Sequence, residues 1–218
     1  SGADQERVEE LKKQISQLRE EAKYDEAVPM AEEVAAIRTQ VQGLDHWEAA
    51  DAERLVKDLR RRAAMTPEEQ RELSEADRAG QMIEELRQAG KYDDALPLAR
   101  RQLESYRKLL GDEHPDVARS LNNLAALLKD KSDYAAAEPL YREALAMRRR
   151  LLGDEHPHVA LSLNNLAVLL HAKGDYAAAE PLLREALAMR RKLLGDGHPD
   201  VALSLNNLAV LLEDKGDY

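Results

Sequence analysis

A 42-residue repeat constrains this chain more than any other feature of its sequence. The segment GDEHPDVA begins at Gly111, GDEHPHVA begins at Gly153 and GDGHPDVA begins at Gly195, so successive copies start 42 residues apart. Residues 111–152 and 153–194 are identical at 34 of 42 positions. Such a period indicates a solenoid or a similar array, in which each unit buries its apolar face against its neighbours.

Each copy is predicted to form two helices joined by a short turn. In the copy that begins at Gly153, Pro157 suits the first turn of a helix, where its missing N–H costs nothing. Apolar residues then recur at helical spacing and form one core stripe: Val159, Leu163, Leu166, Ala167 and Leu170. Gly174 is predicted to end this helix and Asp175 to cap the second one. Pro181 lies beyond the first turn of the second helix, so we expect a local irregularity there.

The first half of the chain carries a looser form of the same pattern. A tyrosine precedes a proline by five residues at four places, which begin at Tyr24, Tyr92, Tyr134 and Tyr176. The first two are 68 residues apart, so one additional helix is expected between them, from about Trp47 to Ala64. Thr66 and Glu69 are predicted to form a capping box at the start of the next helix, with Pro67 at its first position. Trp47 is expected to anchor the inserted helix in the core; contact with a partner is the alternative.

These patterns divide the sequence into six predicted segments. They are a divergent hairpin at 1–43, an inserted helix at 44–65, a repeat with a long first helix at 66–110, complete repeats at 111–152 and 153–194, and a truncated repeat at 195–218. Tyr218 corresponds to Tyr176, where a second helix starts, so the last hairpin is predicted to be half present. We expect either a fragment of a longer array or self-association through this open end.

Composition excludes several classes of function. The chain contains no cysteine, which excludes a thiolate metal site or nucleophile and fits a cytoplasmic protein. The net charge of −10 argues against nucleic acid as the main partner, and no apolar run is long enough for a membrane span. The basic runs at 147–152 and 189–194 lie at predicted helix C-termini, where cations complement the helix dipole. An anion site is the alternative for these runs.

The repeats carry a family resemblance. The pattern LNNLA, followed by GDY and then by PL, resembles the tetratricopeptide repeat, and the 42-residue form with LGDEHPDVA linkers is similar to the kinesin light chain type. The resemblance is close over 91–218 and loose over 1–90. It implies an all-α fold, a right-handed α-solenoid of helix-turn-helix hairpins whose first helices line a concave groove. The segment DHWEAADA is also similar to bacterial multidomain signalling proteins, in which such arrays accompany effector domains such as caspase-like proteases.

Comparison of the copies identifies a candidate peptide-binding face on the first helix of each repeat. Helical phase places this face away from the core stripe, and its side chains differ between copies. The varying positions are Arg119, Leu161 and Leu203; Ala126, Val168 and Val210; and Lys129, His171 and Glu213. Exposed Leu and Val side chains in a row favour a contact surface over unrestrained drift. Few cations line this face, so a clamp for a C-terminal carboxylate is not expected.

A pair of asparagines in each first helix does not vary. The resemblance implies that the second of each pair bonds the backbone of a bound peptide, since an amide both donates and accepts. These second residues are Asn123, Asn165 and Asn207. The alternative is that the asparagines bond neighbouring helices, which we favour for the first residue of each pair: Asn122, Asn164 and Asn206.

The remaining polar clusters do not predict chemistry. His46, His114, His156 and His198 occupy equivalent loop positions, and a loop or capping role is favoured over metal binding because equivalent residues lie too far apart for one ion. We therefore predict a non-catalytic scaffold that binds a protein or peptide segment and needs no metal or cofactor. The alternatives are a structural, self-associating solenoid and a regulatory segment of a larger enzyme.

Overall fold

The computed structural model describes residues 2–216, which form ten helices and no strand. The helices are α1 (Gly2–Glu20), α2 (Tyr24–Gln42), α3 (Trp47–Ala63), α4 (Pro67–Gln88), α5 (Tyr92–Leu110), α6 (Pro115–Asp130), α7 (Tyr134–Leu152), α8 (Pro157–Ala172), α9 (Tyr176–Leu194) and α10 (Pro199–Lys215). No helix in this range is long and apolar enough to cross a membrane. The predicted start of a second helix at Tyr218 lies outside the described residues.

The chain divides into two compact units, and α4 runs from one into the other at residues 80–81. In the first unit, α1 packs on α2 and α2 packs on α3. Their shared core includes Val8, Leu11, Val34 and Leu59, each at most 2% exposed. At the start of α4, the Thr66 N–H donates to Glu69 Oε2 at 2.9 Å, and the Glu69 N–H donates to Thr66 Oγ1 at 3.3 Å. The predicted capping box is therefore confirmed.

The second unit is a series of helix hairpins. Each of its helices from α5 to α10 packs against the next, and α8 also contacts α6 and α10. The predicted core stripe of α8 is confirmed, since all five of its residues are at most 2% exposed. The Asp175 side chain accepts from the Ala178 N–H at 3.2 Å, and Gly174 has a φ of +79°, so the predicted break between α8 and α9 is also confirmed.

The four internal prolines do not interrupt their helices. Pro29, Pro97, Pro139 and Pro181 lie within α2, α5, α7 and α9, and each is the sixth residue of a continuous helix. The carbonyl that a proline ring crowds lies four residues earlier, which here is in the first turn of the helix. The irregularity expected from the sequence therefore does not break the second helix of any repeat.

Histidine caps the first helix of each regular repeat. In α6, α8 and α10 the Nδ1 atom of His114, His156 and His198 accepts the backbone N–H two residues later, at 3.1–3.2 Å. His46 makes the same contact at the start of α3, at 3.3 Å. The capping role predicted for these histidines is confirmed. In each of them, Nδ1 accepts a backbone N–H of the first helical turn that has no partner within the helix.

Replacing His198 by alanine is expected to weaken the start of α10 by about 1 kcal/mol, the usual value of a side-chain cap. His198 is the best of the four for this test because its side chain is 41% exposed, so little packing is lost. Amide hydrogen exchange in α10 measures the change directly. His198→Asn, which restores an acceptor, is the matched control and should retain the protection. Equal protection in His198→Ala and the wild type would contradict the capping role.

Candidate protein-binding surface

Amide pairs connect the first helices of adjacent repeats. Asn165 Nδ2 of α8 donates to Asn122 Oδ1 of α6 at 2.9 Å, and Asn207 Nδ2 of α10 donates to Asn164 Oδ1 of α8 at 2.9 Å. Each bond joins the second asparagine of one repeat to the first asparagine of the repeat before it. The inter-helix bonding favoured for the first asparagine is present at Asn122 and Asn164, and it uses the second asparagine as its donor.

The second asparagines retain hydrogen-bonding capacity beyond this pairing. A primary amide has two N–H groups and an acceptor oxygen. The hydrogen bonds between the asparagines use one N–H of Asn165 and one N–H of Asn207. Asn123, Asn165 and Asn207 are all partly exposed. The pairing fixes the orientation of the amides of Asn165 and Asn207, so these can present their remaining groups without a large loss of side-chain entropy.

The side chains that vary between copies lie beside these amides. We call them, with the three second asparagines, the first-helix surface; the varying members are Arg119, Ala126 and Lys129 on α6, Leu161, Val168 and His171 on α8, and Leu203, Val210 and Glu213 on α10. All of them are partly or fully exposed. Leu203 is 47% exposed and Val210 is 41% exposed, whereas the core residue Leu163 is fully buried. The first-helix surface therefore presents apolar contact area on α8 and α10.

Ion pairs join the C-terminal ends of the first helices. Arg87 Nη1 lies 2.9 Å from Asp130 Oδ2, and His171 Nε2 lies 2.7 Å from Asp214 Oδ2. Lys129 Nζ lies 3.2 Å from the other oxygen of Asp130. Hydrogen bonds to Glu84 and Asp130 raise the pKa of the Arg87 guanidinium. The charges of Arg87, Lys129, Asp130 and Asp214 are thus matched by neighbouring groups within the protein.

The basic runs have specific partners rather than only a favourable helix dipole. Arg149 Nη2 lies 2.6 Å from Glu185 Oε1, and Arg150 Nη2 lies 2.6 Å from Glu113 Oε1. Arg148, which precedes these two arginines in the same run, is only 6% exposed and donates from Nη1 to Ser162 Oγ at 2.8 Å. Its equivalent Arg190 donates to Ser204 Oγ at 2.7 Å. These buried arginines were not predicted from the sequence, although Arg148 continues the core spacing of α7.

Comparisons with known proteins agree with this architecture. The sequence profile of the tetratricopeptide repeat matches residues 81–150, 124–192 and 159–218. The fold is similar to the crystal structure of BtubC (BKLC) from P. vanneervenii, with a TM-score of 0.62 and 24% identity over 99% of this chain and 85% of that one. It is also similar to a putative kinesin light chain from Podosopora anserina with nearly identical TPR-like repeats, with a TM-score of 0.51 and 21% identity over 96% of this chain and 87% of that one. A comparison with curated protein sequences gives no match.

Proposed function

Because this chain belongs to the tetratricopeptide repeat family, whose members generally mediate protein–protein interactions and are typically non-catalytic, we propose that it binds an extended segment of a partner protein across the first-helix surface. One observation carries the proposal. Among repeats that are otherwise almost identical, half of the differences between 111–152 and 153–194 lie in the first helix, on or beside this exposed face. Differences on a surface that keeps a constant amide framework favour selection of side chains on a bound segment.

The spacing of the repeats suits an extended partner. Adjacent packed helices lie about 8–10 Å apart, and an extended chain advances about 3.3 Å per residue. Each repeat therefore corresponds to about three residues of the partner. The free N–H and oxygen of Asn165 and Asn207 would bond its backbone, which makes the framework independent of the partner's sequence.

The side chains of the first-helix surface define the chemistry of the segment. Leu161, Val168, Leu203 and Val210 favour apolar partner residues over α8 and α10. At the α6 end, Arg119 lies 2.8 Å from Asp116, and Lys129 is paired with Asp130, so that end favours polar residues rather than a single strong charge. The proposed ligand is thus an extended segment with an apolar half and a polar half.

A peptide selection followed by affinity measurements tests this proposal. Twelve-residue random peptides displayed on phage would be selected against the full chain, and the affinity of a selected peptide measured by calorimetry. Leu161→Asp and Leu203→Asp are each expected to weaken binding by about 30-fold, because each removes an apolar anchor worth about 2 kcal/mol. Ala146→Asp, at an exposed position of α7, is the matched control and should bind as the wild type does. Selected peptides that bind all four proteins equally would contradict the proposal.

A further inference from the structure

A carboxylate bridges two cations at equivalent places in two repeats. Glu138 on α7 accepts from Arg142 Nη2 at 2.8 Å and is also bonded by Lys173, the residue that follows α8. Glu180 on α9 accepts from Lys215 Nζ at 3.0 Å and forms an ion pair with Arg184 at 2.8 Å. The hydrogen bond from Lys173, followed in size by that from Arg142, holds the pKa of Glu138 below its usual range. A pair of cations at this place therefore favours an ionised carboxylate.

The equivalent place in the preceding repeat has both cations but no bridging carboxylate. Leu96 on α5 stands where Glu138 and Glu180 stand, while Arg100 and Lys131 keep the two cationic positions. Lys131 turns to Asp93 instead. Within residues 2–216, Arg100 makes no hydrogen bond or ion pair. With leucine in place of the glutamate, the Arg100 guanidinium lacks the ion pair that Arg142 and Arg184 make in the following repeats.

A cleft lies at this position. Its volume is about 660 Å³, and Leu96 and Pro97 supply apolar lining beside the cationic groups of Arg100, Arg101 and Lys131. The lining also includes the carboxylates of Asp93 and Glu104. Since Lys131 is already paired with Asp93, Arg100 has the stronger capacity to take an added anion.

We propose that this cleft, which we call the α5 cleft, binds a carboxylate side chain of a partner protein together with an adjacent apolar side chain. The carboxylate would lie against Arg100, which corresponds to Arg142 and Arg184, the arginines paired with Glu138 and Glu180. The apolar neighbour would pack on Leu96 and Pro97. A protein-borne carboxylate is favoured over a small metabolite because Pro97, Arg100 and Arg101 are exposed, so the cleft opens to solvent and does not enclose its ligand.

This site is separate from the first-helix surface. The α5 cleft is built from the second helix of its hairpin and the turn after α6, whereas the first-helix surface consists of residues on α6, α8 and α10. A partner could occupy one without the other, and variants at the α5 cleft are expected to leave binding to the first-helix surface unchanged. The experiments can therefore show that one proposed site is wrong without affecting the result for the other site.

NMR titration of the full chain tests the proposal through the Nε–Hε signal of Arg100. The probes are an acetylated and amidated Leu-Glu-Leu peptide and glutarate. The peptide is expected to shift the Arg100 signal and to bind at least about tenfold more tightly than glutarate, since only the peptide adds apolar contacts. An unshifted Arg100 signal would overturn the site, and equal affinities for the two probes would overturn a protein-borne ligand.

Two variants and one control complete the test. Leu96→Glu supplies the missing carboxylate from within the chain and is expected to weaken peptide binding by at least about fivefold. Arg100→Ala is expected to do the same through loss of the guanidinium, and it keeps the test decisive if Leu96→Glu perturbs packing. Arg142→Ala is the matched control, because Arg142 is already paired with Glu138. Unchanged affinity in Arg100→Ala, or an equal loss in Arg142→Ala, would overturn the assignment.

Discussion

Replacing Arg62 by methionine is expected to lower the free energy of unfolding of the first unit by about 3–5 kcal/mol. The Arg62 side chain is fully buried, and its Nε lies 2.8 Å from Asp58 Oδ2 while its Nη1 lies 3.1 Å from Asp77 Oδ2. Its guanidinium carbon also lies 5.9 Å from the centre of the Tyr24 ring. One cation thus joins α2, α3 and α4. Methionine would fill much of the space but leave two mostly buried carboxylates without this partner.

A second substitution separates the charge from the packing. In Arg62→Met with Asp77→Asn, one of the two carboxylates becomes neutral, so the double variant is expected to recover part of the stability lost in Arg62→Met. Urea unfolding, monitored by circular dichroism, gives the change in the free energy of unfolding of the whole chain. Amide hydrogen exchange at Leu59 shows whether the change occurs in the first unit. A single variant within about 1 kcal/mol of the wild type would contradict the role assigned to Arg62.

Replacing Arg148 by alanine is expected to cost about 2–4 kcal/mol in the second unit. Arg148 Nη1 donates to the His158 carbonyl at 3.0 Å and to Ser162 Oγ at 2.8 Å, so it holds α7 against the start of α8. Alanine would leave the fully buried Ser162 hydroxyl without this donor and would open a cavity. Burial lowers the pKa of Arg148 to about 10, which means that folding pays a desolvation cost for its charge at neutral pH.

This desolvation cost predicts an ordering of variants. Arg148→Met keeps most of the volume and removes the buried charge, so it is expected to lose less than half as much stability as Arg148→Ala. Arg190→Ala should behave like Arg148→Ala, because Arg190 makes the same two contacts with Asp200 and Ser204. Urea unfolding of the full chain measures all three. A loss in Arg148→Met as large as that in Arg148→Ala would show that the hydrogen bonds, and not the packing, dominate.

The sequence was sufficient to predict the helices of the repeats because their signals are local. In the core stripe of α8, each residue lies within about one turn of the next, and the turn at Gly174 and the histidine caps involve residues only a few positions apart. The burial of Arg148 also has a local signal in the sequence of α7. Ala137, Tyr141, Ala144 and Arg148 follow one another at intervals of three or four residues, so helical phase alone places the arginine on the buried face of α7.

The contacts between repeats could be predicted only in part: bonding of the first asparagines to neighbouring helices was expected, but their partners were not. The bond from Asn165 to Asn122 spans 43 residues, one more than the repeat period, and this offset depends on how adjacent helices are set against each other. The α5 cleft likewise needed the structure. The change from glutamate to leucine at position 96 is visible in the sequence. However, Lys173 lies in the turn after α8 and Lys215 lies at the end of α10, and only the structure shows that both bond the glutamates. Their positions reveal that Arg100 lacks the ion pair that its equivalents make.

Chemical-shift mapping with a selected peptide tests binding at the first-helix surface most directly. The side-chain N–H signals of Asn165 and Asn207 and the methyl signals of Leu161 and Leu203 report on four points of this surface. We predict that all four shift on addition of the peptide and that they saturate with the same affinity. Shifts confined to exposed residues of α7 and α9, such as Ala146 and Ala188, with these four signals unchanged, would contradict binding at this surface.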